Sequence, residues 1–344
     1  MGAFGQERLL TRRLAVLAFY AGVIGLLFSS GSCGAQRTAT ASSAKPAART
    51  ALAADARSFS DSTAVSGMLG FLASDALAGR ATGSEGLEQA AAFLESRLAE
   101  YGVKPYYTTY RDTLSNLAET AFNIVGYIPG QDPNLRDQTL LLGAHYDHIG
   151  QLPGTDGDRI ANGANDNASG TVTLLEMARY FGANPPARSL LIVFFSAEER
   201  GLLGSKHLAA RLRDEGFPLY AMLNFEMTGV PMRDKDYLVY ITGFDKSNLA
   251  EVSNRYGGEG LVGYLPQAAE FNLFQRSDNY PFYEVFRVPA HTYSSFDFTN
   301  YPYYHQPQDE ASQLDAGHMA RLVNRLIVAV RGVANAPDKE LILR

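Results

Sequence analysis

Apolar residues along this chain fall into two kinds of run. Thr139 to Ala144, Ser189 to Phe195 (SLLIVFF) and Tyr220 to Phe225 (YAMLNF) are almost unbroken. Such short continuous runs suit strands buried on both faces. Tyr106 to Thr113, Ala121 to Ile128, Tyr237 to Thr242 and Val288 to Tyr293 predict further strands. Elsewhere the spacing is helical. Leu87, Ala91, Leu94, Leu98 and Tyr101 form one stripe over Glu85 to Tyr101, and Gly102 stops it. Val65, Met68, Leu69 and Leu72 predict a helix over Ser62 to Ser74 with Ser62 as N-cap. Val172, Leu175, Ala178 and Tyr180 predict another, starting near Ala168. Leu202 to Arg213, Asn248 to Tyr256 and Gly317 to Ala334 also read as helices, and Arg276 to Phe282 as a loop with a short helix. Strands alternating with helices predict an α/β fold: a three-layer sandwich, its central sheet mixed but mostly parallel, with helices on both faces.

Polar residues gather where the buried runs stop. Thr139 to Ala144 ends in His145-Tyr-Asp147-His148. A Gly/Asp/Asn loop containing Asp166 follows. Ser189 to Phe195 ends in Ser196-Ala-Glu198-Glu199, and Tyr220 to Phe225 ends in Glu226. Tyr304-His305 lies in a late loop dense in aromatics. In open α/β sheets, ligands bind beyond the carboxyl ends of the strands. Imidazoles and carboxylates without thiolates suit zinc and its neighbours. Two zincs about 3.5–4 Å apart need a shared ligand, and a carboxylate can bridge them. Asp166 is the best bridge. His145 and Glu226 would complete one site, and Glu199 and His305 the other. Glu198 is then left beside a ligand, placed as a general base for the attacking water. Asp147, two residues past His145, is expected to accept the other ring N–H of that imidazole. Tyr304 is expected to donate its hydroxyl to a developing oxyanion.

Composition changes the picture mainly at the amino terminus. The chain has 344 residues, 46% of them hydrophobic, and a formal net charge of -6. It carries no basic run, so nothing points to nucleic acid. Arg8, Arg12 and Arg13 precede an apolar stretch from Leu14 to Phe28, short for a membrane span, and then small residues lead to Cys33. Residues 1–33 read as an export signal. Cys33, the only cysteine, stands where a lipoprotein signal places its lipidated residue, although Ser30 sits where Leu is usual. The expectation is an exported protein, periplasmic or extracellular, with a membrane tether through lipidated Cys33. Residues 34–58, rich in Ala, Ser and Thr at the start, read as a flexible tether. Residues 59–337 read as one catalytic domain.

These motifs, taken in order, resemble the secreted di-zinc aminopeptidase family, which includes bacterial leucyl aminopeptidases and the aminopeptidase Y type. Relatives of that family include glutamate carboxypeptidase-type enzymes and glutaminyl cyclases. The residues that carry the resemblance are His145-Tyr-Asp147-His, Gly163-Ala-Asn-Asp166-Asn-Ala-Ser-Gly170, Ser196-Ala-Glu198-Glu199, Asn224-Phe-Glu226-Met-Thr-Gly229, Ser277-Asp278 and Tyr304-His305-Gln-Pro-Gln-Asp309. The resemblance implies two zinc ions bridged by Asp166, with His145, Glu199, Glu226 and His305 as the other ligands and Glu198 as base. It implies hydrolysis of peptides with a free amino terminus, and a cis peptide at Asp166-Asn167. Two departures stand out. Glu226 occupies a position where many aminopeptidases have Asp and where the cyclases resemble this chain, and Asn279 follows Ser277-Asp278 where His is frequent.

The remaining candidates carry plainer expectations. His148 reads as a loop residue or a partner behind the ligands, and His207 and His318 as surface residues. His291 ends a strand near the site. Asp278 and Asp309 are placed to support ligands, while Phe298, Tyr301 and Tyr303 read first as packing. Two other functions stay open: a glutaminyl cyclase, favoured by Glu226, and a silent binding protein on the same scaffold, disfavoured by the intact ligand set.

Overall fold

A computed structural model describes residues 56–154 and 157–344. The expected export signal, Cys33 and nearly all of the tether lie outside the described residues. The strands are β1 (Lys104–Pro105), β2 (Arg111–Thr113), β3 (Phe122–Ile128), β4 (Thr139–His145), β5 (Gly150–Gln151), β6 (Ile160–Ala161), β7 (Leu190–Phe195), β8 (Leu219–Phe225), β9 (Val239–Ile241), β10 (Val262–Gly263) and β11 (Ala290–Ser294). The helices are α1 (Ser62–Leu72), α2 (Glu85–Glu100), α3 (Gly170–Ala183), α4 (Leu203–Asp214), α5 (Leu249–Gly257), α6 (Pro266–Glu270), α7 (Asn279–Phe286) and α8 (Ala316–Asn335). No helix among the described residues is long and apolar enough to cross a membrane.

The main sheet runs β1-β3-β7-β4-β8-β11-β9-β10, with β2 on β3 and β5-β6 apart as a hairpin. Its centre, β7-β4-β8-β11, is parallel, and antiparallel pairs flank it at β3-β7 and β11-β9. All residues of β4, β7 and β8 are buried, which is why they read as unbroken apolar runs. Alternate residues enter two cores. Leu140, Leu142, Ile192, Phe194 and Leu223 pack with α2, α3 and α8. Leu141, Leu191, Val193, Phe195 and Met222 pack on the other face with Leu208 and Leu212 of α4 and Phe282 of α7. The expected three-layer sandwich is the one observed.

Three expectations change at the edges of elements. Asp61, not Ser62, caps α1, accepting from Thr63 N and Ala64 N. The strand expected over Tyr106 to Thr113 shrinks to β2, because the Tyr106 and Tyr107 rings pack edge-on and Tyr106 also meets Phe217. The Tyr- and Thr-rich composition there mimics a strand, but Tyr106 and Tyr107 serve a cluster. The helix expected from Ala168 begins at Gly170, after a π turn over Ala164–Ser169.

Candidate metal centre

Parallel strands in register bring their carboxyl ends to one edge. His145 at the end of β4 pairs with Phe195 at the end of β7, and Phe225 of β8 pairs with Tyr293 of β11. Glu198 and Glu199 follow β7 and Glu226 follows β8, so all sit at that edge. The backbone there is unusual: Ala197, Met227 and His305 take positive φ values of 57°, 50° and 58°. Side-chain-bearing residues rarely adopt this region, and where they do the site is commonly functional. Gly163 has φ +58°, and a Cβ there would lie 2.5 Å from the His148 ring and 2.3 Å from the Asp166 carbonyl. Only glycine admits so close an approach.

The π turn then presents Asp166 to both sides. Oδ1 lies 3.4 Å from His145 Nε2, and Oδ2 lies 3.2 Å from His305 Nε2. The peptide Asp166-Asn167 is cis. Asp309 holds the turn from behind, accepting from Asn165 N at 2.7 Å, Asp166 N at 3.1 Å and Tyr301 Oη at 2.6 Å. On one side of Asp166 stand His148, Glu199 and His305. His305 Nε2 is 3.3 Å from Glu199 Oε2, and His148 Nδ1 is 2.8 Å from Glu199 Oε1. Potential ligand atoms of these four residues lie within 4.8 Å of one another, as do those of His145, Glu198 and Glu226 in a second group.

Charge is unevenly answered. Burial alone would raise Asp166, but His145 and His305 hold it below the usual carboxylate range. Burial raises Glu198 well above that range, His145 opposing and Glu226 and Asp278 adding. Glu226 is pushed up to about 7 and Asp278 to about 7, both chiefly by burial. Burial opposes a charge on His145, yet Glu198, Asp166 and Glu226 outweigh it and raise that imidazole. His145 Nε2, His148 Nε2 and His305 Nε2 are buried without a hydrogen-bond partner. Unpartnered imidazole nitrogens among buried carboxylates are costly unless a cation joins them. The donor set, oxygen and nitrogen with no sulfur, fits zinc.

Each expected residue is at this edge, with some differences. His145 Nδ1 lies 3.2 Å from the Asp147 carbonyl oxygen and 3.8 Å from the Asp147 carboxylate. That carboxylate is engaged elsewhere, accepting from Glu198 N and from Thr82 Oγ1, each at 3.2 Å. Asp147 therefore holds the main chain at Glu198. Tyr304 stacks on His305 at 3.9 Å between centroids, and burial with Asp166 and Glu199 raises its hydroxyl, which stays a donor. Glu226 accepts a short hydrogen bond from Ser277 Oγ.

His148 stands as expected for a partner behind the ligands, its Nδ1 2.8 Å from Glu199 Oε1, and it is also close enough to be counted with the Asp166, Glu199 and His305 group. His318 is buried on α8, and His207 bonds Asp112 at 3.3 Å, so neither is a free surface residue. His291 bonds Ser247 Oγ and the Thr242 carbonyl, away from the ligand groups.

Comparison with known proteins agrees with this geometry. The chain is 30% identical over 223 residues to leupeptin-inactivating enzyme 1 of Streptomyces exfoliatus, a match covering 64% of this chain and 45% of that protein. It is 28% identical to aminopeptidase YwaD of Bacillus subtilis, covering 62% and 44%. The chain thus spans about half the length of the curated relatives it matches. The fold aligns with the Legionella pneumophila LapA aminopeptidase structure at a TM-score of 0.66 and 20% identity, over 84% of this chain and 76% of that one. Residues 123–330, more than half of the chain, match the model of peptidase family M28, and the chain belongs to that family.

Proposed function

We propose that this chain is a zinc-dependent aminopeptidase. The observation that carries the reading is the Asp166 carboxylate, with one oxygen toward His145 and the other toward His305. It would bridge two ions, with His145 and Glu226 on one side and Glu199 and His305 on the other. Bound zinc lowers the pKa of water toward neutrality and polarises a carbonyl. Glu198, raised by burial and aligned through Asp147, takes the proton of the attacking water and returns it to the leaving amine. Tyr304 donates to the oxyanion. The acid-rich group around Glu226 suits the free α-amine of a peptide. His148 orients Glu199 through its 2.8 Å contact.

The test is zinc analysis of purified protein alongside hydrolysis of leucyl and N-acetyl-leucyl p-nitroanilides. We expect two zinc equivalents, with cleavage of the free-amine substrate alone. Equal cleavage of both, or of neither, would sink the reading. Glu226 favours a second reading, glutaminyl cyclisation. One zinc equivalent with turnover of glutaminyl peptides to their cyclic form would select it. Export and lipid attachment at Cys33 belong to the proposal as well. Labelled palmitate entering the wild type and not Cys33→Ser is the expected outcome.

A further inference from the structure

Arg80 is fully buried, and among the described residues it makes no ion pair. Every hydrogen bond from its side chain goes to a carbonyl oxygen. Nε donates to Tyr146 O at 2.9 Å, Nη1 to Asn162 O at 2.7 Å and to Leu72 O, and Nη2 to Gly163 O at 3.0 Å. Its own carbonyl accepts from His148 N at 3.1 Å. These contacts bracket the two segments that carry the candidate ligands. Tyr146 follows His145 directly, and Gly163 opens the turn that presents Asp166. A guanidinium offers five donors in a rigid fork, which an ammonium cannot reproduce. Its charge is costly to bury without a direct counterion. Asp309, Asp147, Asp166 and Glu199 act on it through the interior without touching it.

We propose that Arg80 is a positioning residue for the metal centre: its guanidinium locks the exit of β4 to the Asp166 turn and sets a fixed positive charge behind the acidic groups. This rests on the zinc reading above. The site is then arranged before any ion arrives, and loosening Arg80 weakens the ion's hold without removing a ligand.

Arg188 provides a matched control. It too is buried, donating to Gln138 Oε1 at 3.1 Å and to the carbonyls of Val333 at 3.0 Å, Asp338 at 3.0 Å and Ala336. It precedes the amino end of β7, opposite the edge that bears Glu198. The experiment titrates metal-free wild type, Arg80→Lys and Arg188→Lys with zinc against a chromogenic chelator, and records the absorption spectrum of the cobalt-loaded forms. Both variants are expected to unfold at lower temperature. Only Arg80→Lys is expected to bind zinc about 10- to 100-fold more weakly, the usual effect of residues that orient ligands, and to shift the cobalt bands. Wild-type affinity and spectrum in Arg80→Lys would overturn the proposal, as would an equal loss in Arg188→Lys. Should Arg80→Lys not be recovered folded, the same titration of Arg80→Gln decides by the same criteria. A wild type that takes no zinc would remove the zinc reading itself, a failure visible in that arm alone.

Discussion

The two groups that meet at Asp166 differ in how their charge is answered. His148, Asp166, Glu199 and His305 set two imidazoles against two carboxylates, at 2.8–3.9 Å. Glu199, like Asp166, is held below its ordinary range, burial being outweighed by contacts with His148 and His305. His145, Glu198 and Glu226 set one imidazole against two glutamates, with Asp147 and Asp278 close behind. All four of those carboxyls are raised by burial, Asp147 to about 6. One region therefore balances itself, whereas the other holds negative charge that a proton or a cation must relieve. The second should show the stronger coupling between metal, protons and stability.

The largest expected effect comes from removing what the two regions share. Asp166→Asn should release both zinc equivalents and abolish activity, whereas His145→Ala and His305→Ala should each release chiefly one. Metal analysis that still finds two zincs in Asp166→Asn would end the bridging assignment. Next is Glu198→Gln, which should keep both ions and lower kcat by about 10²–10⁴-fold. A variant with near wild-type turnover would mean that Glu198 is not the base.

Proton linkage breaks the comparison in a different way. In the unfolded chain Glu226 and Asp278 ionise near their ordinary values, but in the folded chain only near 7. His305 is raised to about 10 when folded, burial being outweighed by the neighbouring carboxylates of Asp166 and Glu199. Between pH 6.5 and 8 the folded, metal-free protein therefore binds more protons than the unfolded one, so its stability falls as pH rises. His291 and His318, lowered by burial to about 4, have the opposite sign, but their contribution fades above about pH 6.5 as the unfolded imidazoles lose their protons, and it is the smaller of the two. We expect the melting temperature of the metal-free protein to drop across this window and that of the zinc-loaded protein to stay nearly level. Parallel pH profiles with and without zinc would contradict the claim that metal replaces protons at this edge.

The legible parts of the molecule were those where one physical requirement dominates. A strand buried on both faces must be apolar throughout, so β4, β7 and β8 could be read directly, and with them the edge where the ligands lie. The stripe of α2 was as plain. The rest depends on partners distant in sequence. Tyr106 and Tyr107 read as strand because their cluster with Phe217 has no local signature. His318 read as surface because nothing within α8 reports what packs over it. Arg80 sits in a Gly-rich turn, and nothing there indicates that its side chain reaches carbonyls at residues 146, 162 and 163. The spacing of Asp147 points to His145, but nothing local reports that Glu198 N and Thr82 Oγ1 claim its carboxylate.

The smallest expected effect concerns the arm of Glu226, where this chain departs from the common Asp. A glutamate loses more rotamer freedom than an aspartate when fixed as a ligand, which by itself weakens the acid-rich site. Here the arm is already held. Ser277 Oγ donates to Glu226 Oε2, and Ser277 Oγ in turn meets Thr292 Oγ1 at 2.8 Å and accepts from Asn224 Nδ2 at 2.9 Å. The hydroxyl network meets part of the entropic cost before an ion binds. Ser277→Ala frees the arm and leaves every ligand in place. A hydrogen bond to a charged group contributes about 1.5–3 kcal/mol, so the zinc at His145 and Glu226 should bind roughly 10- to 100-fold more weakly. The zinc at Glu199 and His305 should not change, because Ser277 touches nothing there. Stepwise chelation of wild type should strip the acid-rich site first, and in Ser277→Ala the gap between the two steps should widen. If the two steps keep their wild-type spacing, the longer arm needs no hydroxyl to hold it.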